Sequence, residues 1–91
     1  MATYISTSGF ELDVFPSNGE KFTLEELQNL VGGYIERIAM PNGQAMYINE
    51  EGKLNDLPWN SRATTILKLH GLIPNDYIVG DVVILSNEEE D

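Results

Sequence analysis

Phe22-Thr23-Leu24-Glu25-Glu26-Leu27-Gln28-Asn29-Leu30-Val31-Gly32-Gly33 is the stretch from which the rest of this chain can be read. Thr23 is a good helix N-cap, and Glu26 stands three residues later, where its carboxylate can reach back to the cap backbone. Phe22 before the cap and Leu27 after it are spaced to pack on each other and fix the entry of the chain. Leu24, Leu27, Leu30 and Val31 recur at helical spacing and make one apolar face. Gly32 or Gly33 can adopt the left-handed conformation that closes a helix. The spacing predicts a helix over about 23–31.

Working outward, Tyr34, Ile35, Arg37, Ile38 and Met40 read as a strand with both faces partly covered. Asn42-Gly43, after Pro41, is a strong hairpin signal because both residues accept positive φ. The second arm is Gln44 to Asn49, where Met46 and Ile48 alternate with Ala45 and Tyr47. Upstream, Thr3 to Thr7 is β-branched and aromatic, Ser8-Gly9 breaks it, and Phe10, Leu12 and Val14 alternate with Glu11 and Asp13. Pro16 to Gly19 is a turn. These two segments predict an N-terminal hairpin. Downstream, Glu50 to Lys53 turns the chain, and Asn60 caps a second helix whose inner stripe is Ala63, Ile66 and Leu67, with Gly71 as its stop. A last strand, Tyr77 to Leu85, is interrupted at Gly80.

The order β-β-α-β-β-α-β predicts a single small α+β domain over 1–86, with an antiparallel or mixed sheet of about four to five strands and two helices packed on one face. Its expected core is Leu12, Val14, Leu27, Leu30, Val31, Ile35, Ile66, Leu67, Ile78 and Val82. Residues 87–91 read as a disordered acidic tail. Tyr34, Tyr47, Trp59 and Tyr77 are many large aromatics for one small core. With one sheet face open, they favour a symmetric homodimer through that face or a sheet edge.

Composition narrows the function classes. The 91 residues contain no cysteine, which excludes disulfides, thiolate metal sites and cysteine nucleophiles. His70 is the only histidine and falls in the last turn of the second helix, where a cation is favoured by the helix dipole. Fifteen acids against five bases give a net charge of −10, which repels nucleic acid and argues against direct binding to it. The longest apolar run is far short of a membrane span, and the N-terminus lacks a secretory pattern, so the expected location is cytoplasmic.

Leu30 to Glu36, Asn49 to Leu54, Leu57 to Thr64 and Asp76 to Val83, in that order, resemble a family from phages, prophages and plasmids, domain of unknown function 3846. The resemblance implies an origin on a mobile element, and hence the host's cytoplasm, but no established activity.

Two groups of residues are candidate sites. Trp59, Asn60, Ser61 and Arg62 combine a helix N-terminus, an arginine and a stacking face, a reasonable cradle for an anion or nucleotide. The same residues serve equally as a cap, a packing aromatic and a surface ion pair. Glu11, Asp13, Glu20, Glu25, Glu26, Glu36, Glu50 and Glu51 are candidates for an acidic surface that imitates a phosphate backbone, although Glu25 and Glu26 also suit a helix start. No carboxylate spacing matches a calcium loop, and Gly32-Gly33 follows a helix where a phosphate loop precedes one.

The expectation is therefore a non-enzymatic accessory protein of a phage or other mobile element that binds a host protein, as an acidic, DNA-mimic-like inhibitor of a nucleic-acid-handling or defence protein. It carries no metal and no cofactor. The alternative is a module that binds or sequesters a small nucleotide or anion.

Overall fold

Two strands with apolar residues on both sides govern the architecture. Ala45-Met46-Tyr47-Ile48 and Val82-Val83-Ile84-Leu85 each place large side chains alternately above and below the sheet, so each needs cover on both faces. The computed structural model describes residues 2–90. Its elements are β1 (Ala2–Ile5), β2 (Glu11–Val14), α1 (Leu24–Val31), β3 (Ile35–Met40), β4 (Gln44–Asn49), α2 (Ser61–Leu69) and β5 (Val82–Ser86). The strands form one antiparallel five-stranded sheet in the order β2-β1-β5-β4-β3. β5 joins the two hairpins by pairing with β1 on one side and β4 on the other.

The two helices lie on opposite faces, not on one. Phe22, Leu27 and Val31 pack with Ala2, Ala45, Tyr47, Val83 and Leu85 on the first face. Ala63 and Leu67 pack with Ile5, Met40, Met46, Ile78 and Val82 on the second. The reason is the two-sided pattern of β4 and β5, which a single layer of helices cannot satisfy. Tyr47 and Met46 point to opposite faces, as the alternation requires, yet both are buried. The face expected to lie open thus carries α2 and the chain that follows it, which leaves an edge as the other surface expected for a homodimer.

α1 forms where its signals place it. Thr23 Oγ1 accepts from the Glu26 backbone at 3.2 Å, and Glu26 returns the bond to the Thr23 N–H at 3.0 Å. Gly32, at φ 81°, closes the helix. The central hairpin turns through Asn42 and Gly43 at φ 67° and 73°, a pair of left-handed residues that this sequence is suited to supply.

Other expectations require correction. Leu12 is 48% exposed because β2 is an edge strand and the cover given by α1 reaches only as far as Val14. Tyr77 to Gly80 is not continuous strand. It makes a single bridge, Trp59 to Val79, and the ladder begins at Val82. The segment after β5 is ordered through Glu90. Asn87–Glu89 form a 3₁₀ turn in which Ser86 and Glu89 make a capping box. The Phe22 N–H bonds the Glu89 carbonyl at 2.8 Å, which returns the chain to the first face. Asp91, the last residue of the expected tail, lies outside the described residues.

Candidate functional site

The residues expected to cradle an anion divide between structure and surface. Asn60 is fully buried as the N-cap of α2. Its Oδ1 accepts from the Ala63 N–H at 3.0 Å. Its Nδ2 donates to the carbonyls of Ile5 at 3.1 Å and Gly80 at 2.9 Å. One carboxamide therefore ties α2, β1 and the loop before β5 together, and no part of it is open to a ligand. Arg62 reaches across the second face to Glu11 of β2 at 2.5 Å. Ser61 is exposed, and the exposed Trp59 meets the edge of Tyr77 with ring centroids 5.2 Å apart. His70 is the C-cap of α2.

The eight acids do not form one row. Glu11 and Asp13 lie on β2 and Glu36 on β3, the two edges of the sheet, roughly 19 Å apart at about 4.8 Å per strand. Glu20, Glu25 and Glu26 precede or open α1. Glu26 is held by the backbone N–H groups of Thr23 and Ser17, which keep its carboxyl below the usual carboxylate range.

Glu36 and Glu50 come together at the end of the sheet where β3 begins and β4 ends, while Glu51 lies at the same end but lines a different cleft. Glu36 and Glu50 border a small cleft of about 200 Å³ floored by Ile38, Ile48, Ile78 and Val79. Lys53 also borders it, but its ammonium is paired with Asp76 and lies 4.4 Å over the Tyr77 ring. That pairing holds the Asp76 carboxyl below its ordinary value.

Glu51 opens onto a second, larger cleft of about 490 Å³, formed by Gln28, Asn29, Gly32, Gly33, Tyr34, Asn49 and Asn55. Its floor is set by Asn49, which is buried at the end of β4. Asn49 Nδ2 donates to the Val31 carbonyl at 3.2 Å, satisfying an end group of α1 that has no partner within the helix. Its Oδ1 accepts from the Glu51 N–H at 2.9 Å and fixes the start of the turn. Gly33 allows a close approach here, because a Cβ would stand 2.9 Å from Asn49 Nδ2 and would push the hydrogen-bonded carboxamide aside. Tyr34 stands at the rim, 64% exposed, while its carbonyl accepts the Glu50 N–H at 2.9 Å.

A family model described as Domain of unknown function (DUF3846) matches residues 10–91. The chain belongs to that family. The match takes in both helices and every strand except β1, and so contains all the residues of both clefts. No curated protein and no solved structure matches this DUF3846 domain. Among its described residues no helix is long and apolar enough to cross a membrane.

Reading the sequence alone did not single out Tyr34, Asn49, Asn55, Gln28 or Asn29 as a site. A signal was present. Gly32-Gly33-Tyr34 and Asn49-Glu50-Glu51 belong to two separate segments that carry the family resemblance, and the β3–β4 register, Ile35 opposite Asn49, brings them together.

Proposed function

We propose that this DUF3846 domain is a non-enzymatic accessory protein of a phage or other mobile element that acts by binding a basic host protein, one that handles nucleic acid. The observation that carries the reading is the placing of three acids at one end of the sheet, Glu36 and Glu50 on the cleft where Lys53 is already engaged by Asp76 and Glu51 on the cleft at the end of α1. A net charge of −10 steers a basic partner toward the molecule at long range, and the acids at this end of the sheet give it a place to dock. The wide scatter of the other acids favours this local patch over imitation of a whole phosphate backbone. The alternative, an anion held at the start of α2, gains no support from the geometry: Asn60 is wholly engaged in the fold and Arg62 is paired with Glu11.

The test is capture from host lysate with the native chain and with a Glu36→Gln/Glu50→Gln/Glu51→Gln variant, at low and at moderate salt. A basic protein retained by the native chain, released by salt, displaced by its own nucleic acid and missed by the variant is the expected result. Equal retention by the variant, or retention indifferent to salt, overturns the reading.

A further inference from the structure

The larger cleft has an electrostatic character that its volume alone does not convey. It lies at the C-terminal end of α1, where aligned peptide dipoles leave a partial negative charge. A helix end of this kind is commonly offset by a lysine or arginine in its last turn, and α1 has none. The Glu51 carboxylate adds a full negative charge. Among the described residues, no lysine or arginine lines the cleft. Gln28, Asn29 and Asn55 offer carboxamide oxygens, and the exposed ring of Tyr34 offers an aromatic face at the rim. A carboxylate, a helix C-terminus, carbonyl acceptors and an exposed π-face share one preference: a cation rich in N–H donors.

We propose that this cleft receives a guanidinium or ammonium group, carried on an arginine or lysine side chain of the basic partner. The assignment rests on the binding reading above and specifies its contact. The planar guanidinium is the better match, since it can lie against Tyr34 while its fork of N–H groups reaches Glu51 and the carboxamides. The source is a partner's side chain because the cleft is bounded by an exposed rim residue and exposed loop residues, and because its Glu51 carboxylate belongs to a chain whose net charge of −10 draws a basic protein toward it.

The test is a titration of ¹⁵N-labelled protein with a short blocked Gly-Arg-Gly peptide, with the same peptide carrying neutral citrulline, and with free arginine and spermidine. The arginine peptide is expected to shift the amides of Gly32, Gly33, Tyr34 and Asn49 to Glu51, and the citrulline peptide to leave them unmoved. Tyr34→Ala should weaken binding about three- to fivefold, the range of an exposed cation–π contact. The spectrum of the free variant shows whether it is folded. Glu51→Gln supplies a second variant at an exposed position. Equal shifts from the citrulline peptide overturn the proposal. Shifts confined to Glu36 and Glu50 overturn the cleft assignment and leave the acidic-patch reading standing. Tighter binding of free arginine or spermidine than of the peptide overturns the partner-borne source. No shift at any residue by tens of millimolar peptide overturns the inference; loss of salt-sensitive capture is what overturns the broader reading.

Discussion

Asn60 shows how a residue chosen for ligand-like chemistry can be fully explained by folding. Its side chain offers one acceptor and two donor hydrogens, and the fold uses the acceptor on Ala63 and the donors on Ile5 and Gly80. Its neighbour in the same network, Thr64, accepts the Ile78 N–H at 2.9 Å and donates to the Asn60 carbonyl at 2.8 Å. Asn60→Ala removes a cap, worth about 1 kcal/mol, and leaves two buried carbonyls without this donor, at about 1–3 kcal/mol for each group stranded. The expected loss is on the order of 3 kcal/mol, read as a fall in the urea midpoint at constant m-value. A loss below about 1 kcal/mol would show that the network is dispensable and reopen Asn60 to a ligand role. From sequence, the N-cap assignment was legible, since Asn before a helical stripe is a local signal. The two long-range partners were not, because their meeting depends on the sheet.

At the scale of elements, what could be read was whatever local chemistry determines. The capping box and glycine closure placed α1, and Asn42-Gly43 placed the central hairpin. Counting outward from that turn even puts Ile35 opposite Asn49, so the convergence at the cleft could have been found. The side taken by each helix was less accessible, because it depends on the β5 ladder and not on either helix. The order of the C-terminal return was hidden for a different reason. Residues 87–90 contain no apolar anchor, and polarity by itself points to solvation. Instead, Arg37 Nε and Nη2 grip Glu90 at 2.5 and 3.1 Å, and the Tyr47 hydroxyl donates to the same carboxylate. Burial, reinforced by the bond to Glu90, pushes the Tyr47 phenol up to about 12, while Arg37 holds the Glu90 carboxyl below its ordinary range. A carboxyl lowered on folding stabilises the native state above its unfolded value, near ~4.3, and loses that contribution as pH falls through the folded value. Glu90→Gln is therefore expected to destabilise the domain near neutral pH, with the gap from the native chain narrowing toward pH 3. Urea titrations of both chains at pH 7 and pH 3 test this, and a gap independent of pH would assign the segment's order to the backbone bond at Phe22 instead.

The whole molecule is dominated by unbalanced charge. Arg37, Lys53 and Arg62, three of the five basic residues, sit in ion pairs with Glu90, Asp76 and Glu11, and the chain still carries −10. With a helix on each sheet face, the sheet edges remain as one surface for a symmetric dimer, and they carry Glu11 and Asp13 on β2 and Glu36 on β3. Two like-charged edges repel each other until the charge is screened. The same repulsion acts within one copy. The molecule measures 35 × 27 × 20 Å. At 10 mM salt the Debye length is about 30 Å, so most of its charges feel one another; near 0.15 M it is about 8 Å, and only neighbours do. Salt also weakens the ion pairs, but the partly exposed pairs each contribute only ~0–1 kcal/mol. Ten excess negative charges outweigh three such pairs, so added NaCl should stabilise this domain. Relief of about 1 kcal/mol corresponds to roughly 4–8 °C for a chain of this size. The melting temperature is expected to rise by that order between 10 and 300 mM NaCl at pH 7, with most of the gain below 150 mM, where screening changes fastest. A melting temperature that falls over this range would mean that the Arg37–Glu90, Lys53–Asp76 and Arg62–Glu11 pairs contribute more than surface pairs ordinarily do, and that the acidity costs the fold little.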